Sequence, residues 1–107
     1  MEELNLQLYH DLLDEFIAKE VKPLAKEIDE MERFPKETVD KLAKMGMLGI
    51  VIPKQYGGVG GTYSMYIDAV RKLSSACATT GVILSAHVSL CAAPIMEFGN
   101  EEQKQKY

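Results

Sequence analysis

From Thr80 to Ala93 the chain carries no Lys, Arg, Asp or Glu. One His, Ser85 and Ser89, Cys91 and small apolar side chains fill about four helical turns of the surrounding run TTGVILSAHVSLCAAPIMEFGN. A surface helix needs a charged face. A helix without one is either buried on every side or turns a face toward something outside itself. The uncharged run is also shorter than the roughly 20 residues of a bilayer span. It therefore reads as the central helix of a soluble bundle, with one face reserved for a partner domain or ligand and no membrane.

The flanking sequence supplies the rest of a bundle. From Leu4 to about Met31, apolar residues recur at helical spacing: Tyr9, Leu13, Phe16, Ile17, Val21, Leu24, Ala25 and Ile28. Pro23 removes a backbone donor inside this stripe and predicts a kink or short break near Glu20. Pro35 suits the first turn of a second helix. Val39, Leu42 and Ala43 form its buried edge, Lys41 and Lys44 sit near its negative end, and Gly46 is its stop. MLGIVIP has strand propensity but no second strand to pair with, so an extended, buried connector is expected. PKQYGGVGG is a loop. Thr62 caps a third helix with the stripe Tyr66, Ala69, Val70, Leu73 and Ala76, and Thr79-Thr80-Gly81 makes a tight corner before the central helix. Pro94 ends or bends that helix, and Asn100 with Gln103 forms a capping box for a last segment. The expected architecture is all-α: an up-and-down bundle of several helices, with a kinked long first helix and an uncharged central one.

The 107 residues fit one domain, spanning 1–107. A net charge of −4, with Lys and Arg interleaved among acids, argues against nucleic acid as a partner. The acidic, amphipathic start is neither a signal nor a transit peptide, which points to the cytoplasm. Cys77 and Cys91 lack CxxC spacing and read as buried free thiols.

Candidate chemistry is sparse. Gly57, Gly58, Gly60 and Gly61 invite a phosphate-cradle reading, but Tyr63 stands where a dinucleotide fingerprint needs its last glycine. The Lys of a P-loop is also missing, so the loop reads as structural. His10 lies in a polar helix, and His87 has no carboxylate or nucleophile near it in sequence. No metal spacing or triad emerges, and no catalytic or cofactor-binding residue is assigned. What remains is a face. Ile83, Ala86, His87 and Leu90 share one side of the central helix, with Val82 at its border. It could pack against another helix of the bundle or line a narrow pocket for an aliphatic group.

Taken in order, VKPLAKEID, FPKETVDKLAKMGMLGIVIPKQYGGVGG and LSSACATTGVILSAHVSLCAAPIMEFGNEEQKQKY resemble the acyl-CoA dehydrogenase family across nearly the whole chain. PxxYGGxGG and PIxxFGxxEQKxKY are specific to its amino-terminal helical domain, and LSAHVSLC is closest to the short-chain, butyryl-CoA branch. The resemblance implies an FAD-dependent α,β-desaturation of acyl-CoA thioesters, feeding electrons to electron-transfer flavoprotein, in a homotetramer or homodimer. FAD would lie between a middle β-domain and a carboxy-terminal helical domain, the latter supplying the glutamate base. Neither domain is among these residues, so this piece should be inactive and free of FAD. Its implied part is a wall of the acyl pocket, formed by Val82, Ile83, Ala86, His87 and Leu90. The rival expectation is a free-standing helical module that binds a partner protein through residues 80–93.

Overall fold

The computed structural model describes residues 6–107, in which the chain forms five helices and no strand. Helix α1, residues 6–31, is continuous. It is α-helical over Leu6–Phe16 and Lys22–Met31 and opens into a π-turn over Ile17–Val21. Pro23 explains the opening. It has no N–H to donate, and its ring would press on the carbonyl one turn back. The wider turn lets the Lys22 N–H reach the Ile17 carbonyl, five residues back, and the helix runs on without a break. Leu13, Ile17, Val21 and Ile28 are buried, with Tyr9, Phe16, Leu24 and Ala25 packed against them. Leu4, where the expected stripe began, lies outside the described residues.

Glu32 ends α1 in the left-handed region at φ 52°, and helix α2, Lys36–Lys44, starts directly after Pro35. Its buried edge is Thr38 and Leu42, whereas Ala43 is exposed and Val39 only half-buried. Leu42 anchors the row, and the residue one full turn behind it is Thr38. Across the α1–α2 turn, Arg33 pairs with both Glu27 and Glu37 at 2.9 Å. The hydrogen bonds from Arg33 hold the Glu37 carboxyl down at about 2, against an ordinary 4.5. A lowered folded-state value stabilises above the ordinary value, and that stabilisation disappears as pH falls toward 2. The urea midpoint of the domain should therefore drop between pH 4.5 and 2, and Glu37→Gln should flatten that slope.

After Gly46, at φ 83°, the expected extended connector is instead a chain of tight turns. With no neighbouring strand to receive them, the amides close locally: Gly49 on Gly46, Ile50 on Met47 and Ile52 on Gly49, at 3.1–3.3 Å. Met47 and Ile50 are buried in the process.

Helix α3, Tyr63–Ala76, is capped by the Thr62 hydroxyl, which accepts from the Met65 N–H at 3.2 Å. It leads into α4, Ala78–Phe98, through the single extended residue Cys77. The corner expected at Thr79-Thr80-Gly81 is thus one turn too late, because those residues already lie inside α4. Thr80 and Gly81 are buried there because Gly81 lets the two helices touch at Ser74. Pro94 does not end α4. As in α1, a π-turn precedes the proline, here over His87–Ala92, and the Ala93 N–H bonds the Val88 carbonyl. Helix α5, Glu101–Lys106, begins with the expected box: Asn100 Oδ1 accepts from Gln103 N–H at 2.9 Å, and Gln103 Oε1 accepts from Asn100 N–H at 3.0 Å.

Side-chain links fix the helix directions. The Tyr9 hydroxyl donates to the Met65 carbonyl and Asp14 pairs with Lys72, so α1 and α3 run parallel. Tyr66 meets Ser85 and Ser89 while Ser74 meets Gly81, so α3 and α4 run antiparallel. The result is the expected up-and-down order. Of the two thiols, Cys77 is buried as expected, but Cys91 is exposed because the π-turn carries it to the open side of α4.

Candidate functional site

The buried row of α4 is Thr80, Leu84 and Val88, one residue per turn, facing the bundle core. The helix supplies core without being enclosed by it. Val82 is 64% exposed and Leu90 76%, while Ile83, Ala86 and His87 are half-buried. None of the described residues covers this apolar side, the kind of surface that marks an interaction or ligand-binding site. At 21 residues, α4 also reaches the length of a bilayer span, longer than its uncharged core suggested. Its Thr80–Leu84–Val88 row and its hydrogen bonds to Tyr66 tie it into the bundle.

The five residues singled out from the sequence are held in two ways. Val82, Ile83 and Ala86 stand on regular helix before the π-turn, whereas His87 opens that turn and Leu90 lies within it. Ile83 borders a shallow depression of about 450 Å³ between α4 and the α1–α2 turn, which Ile28, Arg33 and Phe34 also line. Ala86 is the smallest side chain of the set and leaves a low point between Ile83 and Leu90. A π-turn advances fewer degrees per residue than an α-turn. It therefore displaces Leu90 from the line that regular spacing would give it.

Tyr66 makes a cross-helix link that periodicity alone hides. Its ring is buried in the α3 stripe, and its hydroxyl crosses to α4. There it donates to the Ser85 carbonyl at 3.1 Å and pairs with the Ser89 hydroxyl at 2.7 Å. The available signal was chemical: a phenol on a core stripe needs a polar partner for its O–H.

Other candidate chemistry is structural. The amides of Gly58, Val59, Gly60 and Gly61 donate to the carbonyls of Pro53, Gly49, Ile52 and Ile50 at 2.7–3.1 Å. A phosphate, that of FAD included, would find no free amide there, so the glycine loop does not fit as its cradle. At Gly58 an added Cβ would lie 2.1 Å from the Ile52 carbonyl oxygen, which is why the loop needs glycine at that position. Burial, reinforced by Asp68, pushes the Tyr9 hydroxyl up to about 12. It stays protonated and serves as a donor to α3. His10 Nδ1 lies 3.3 Å from Lys72 Nζ, within the same α1–α3 clamp.

A second apolar surface escaped the sequence reading. A groove of about 570 Å³ runs between α1 and the connector, lined by Leu8, Leu12, Phe16, Met45, Ile50 and Val59 among others. It shares no residue with the α4 face. Leu8 and Leu12 lie off the α1 core stripe, so periodicity assigned them no role.

Comparison with known proteins places this geometry. The chain matches the family described as acyl-CoA dehydrogenase, N-terminal domain, over residues 5–107. It is 58% identical over 101 residues to the short-chain specific acyl-CoA dehydrogenase of Clostridium acetobutylicum, covering 94% of this chain and 27% of that one. The solved structure of butyryl-CoA dehydrogenase from Megasphaera elsdenii superposes on the whole chain with a TM-score of 0.88 at 36% identity, over 29% of its own length. A chain from a study of the electron transferring flavoprotein of Acidaminococcus fermentans superposes with a TM-score of 0.89 at 42% identity, likewise over 29% of its length. The chain thus spans between a quarter and a third of the length of these three relatives. By that match over residues 5–107 and the superposition of its all-α bundle, the chain belongs to the acyl-CoA dehydrogenase family, as its amino-terminal helical domain.

Proposed function

We propose that residues 1–107 serve as the amino-terminal domain of a short-chain acyl-CoA dehydrogenase, and that Val82, Ile83, Ala86, His87 and Leu90 form one wall of its acyl pocket. The observation that carries this reading is the open, uncharged side of α4, with Ala86 as its low point. An acyl tail is recognised by shape and by apolar burial, and a face of this kind supplies both while keeping water from the thioester end. Each methylene accepted or excluded is worth about 1–3 kcal/mol, so side-chain volume along the wall grades chain length.

The reaction is completed outside these residues. FAD is the cofactor of the complete enzyme, where it supplies the redox chemistry of α,β-desaturation, and the base belongs to the carboxy-terminal domain. Electron-transfer flavoprotein is the electron acceptor, and a homotetramer or homodimer is the working assembly. The groove between α1 and the connector gives the missing domains a second apolar surface to cover. The family match along the chain favours this reading over a free-standing interaction module. The full-length protein should be yellow, and butyryl-CoA should let it reduce an artificial electron acceptor. A colourless, folded product without that activity would overturn the proposal.

A further inference from the structure

Two unrelated features converge on the π-turn of α4. Pro94 lies just beyond it and cannot donate the hydrogen bond a regular helix would require, so the wide turn over His87–Ala92 accommodates the proline ring. From the other side, the buried Tyr66 hydroxyl bridges the Ser85 carbonyl, just before the turn, and the Ser89 hydroxyl within it. His87 and Leu90 project from the segment that these two features hold. We infer that Tyr66 and Pro94 are positioning residues: together they set the angle at which His87 and Leu90 stand on the acyl wall, and hence the chain length the pocket accepts.

This inference rests on the acyl-wall reading and refines it. Without Pro94, the α-helical bond to the preceding turn becomes possible and the π-turn can relax. Leu90 then rotates relative to Ala86. Without the Tyr66 hydroxyl, the ring still fills the core, but the turn loses its cross-link to α3.

The test uses the full-length enzyme and the ratio of kcat/KM for butyryl-CoA to that for hexanoyl-CoA. Tyr66→Phe should shift this ratio about fivefold, the equivalent of one ordinary hydrogen bond, and mainly through KM. Pro94→Ala should shift it as well. A purely structural role would lower the amount of active protein and scale both substrates alike, leaving the ratio where it was. Ala86→Leu, which changes the wall directly, separates the two levels of the argument. If Ala86→Leu moves the ratio while Tyr66→Phe and Pro94→Ala do not, the positioning role is wrong and the acyl wall stands. If none of the three moves it, both are wrong. Should Pro94→Ala fail to fold, Tyr66→Phe decides alone, since it removes a single oxygen and keeps the ring.

Discussion

Replacing Gly81 by alanine should destabilise this domain by about 3 kcal/mol, although the same change at an exposed helix position would stabilise it by roughly 1 kcal/mol. The reversed sign follows from one close approach. A Cβ built on Gly81 would lie 1.9 Å from Ser74 Oγ, and 2.9 Å from both the Cβ and the Cα of Ser74. The hydroxyl could rotate away, but the Cα belongs to the α3 backbone and can yield only if the helices separate. They are joined by Cys77 alone, so separation at Ser74 propagates to buried Thr80, whose hydroxyl donates to Cys77 Sγ at 3.3 Å, and to Leu84. A domain of this size has only about 5–15 kcal/mol of total stability, so the loss is large. Urea denaturation of the domain would measure it. Ser74→Gly in the same background removes two of the three clashing atoms and should restore part of the loss. A Gly81→Ala midpoint at or above wild type would mean that α3 and α4 do not cross this closely.

The same contact shows why parts of the fold were legible in sequence and parts were not. Local chemistry was readable. Thr62 and the Asn100–Gln103 box satisfy helix amides within four residues, so their partners are neighbours in the chain. The α1 stripe was readable because Leu13, Ile17, Val21 and Ile28 keep their spacing through the π-turn. The corner before α4 was misplaced because glycine has two uses. At Gly81 it permits a helix to approach a neighbour, and only the position of Ser74 on another helix reveals that. MLGIVIP misled for a related reason: strand propensity describes a pleated, half-buried surface, and with no partner strand the segment satisfied its amides by turning. The face of α4 was legible as a face. The displacement of Leu90 was not, because regular spacing assumes α-turns and Pro94 imposes a wide one.

Ala86→Leu in the full-length enzyme should lower kcat/KM for hexanoyl-CoA about tenfold or more relative to butyryl-CoA. Ala86 is half-buried on regular helix, ahead of the π-turn, so its direction does not depend on how that turn is held. Leucine adds three carbons to the low point between Ile83 and Leu90, and a short acyl tail that ends before that point loses little. A tail two methylenes longer must displace the new side chain or leave its own terminus in water. At about 1–3 kcal/mol per methylene, two excluded methylenes cost at least about 2 kcal/mol, so tenfold is a conservative expectation. Overpacking of the bundle would act differently, because added carbons pressed against neighbouring helices would lower stability and activity for every substrate together. The outcomes separate on two measurements, the substrate ratio and the thermal midpoint. A shifted ratio with a near-wild-type midpoint places Ala86 on the pocket wall. An unchanged ratio with a lowered midpoint would return it to the bundle core and remove the acyl wall from α4.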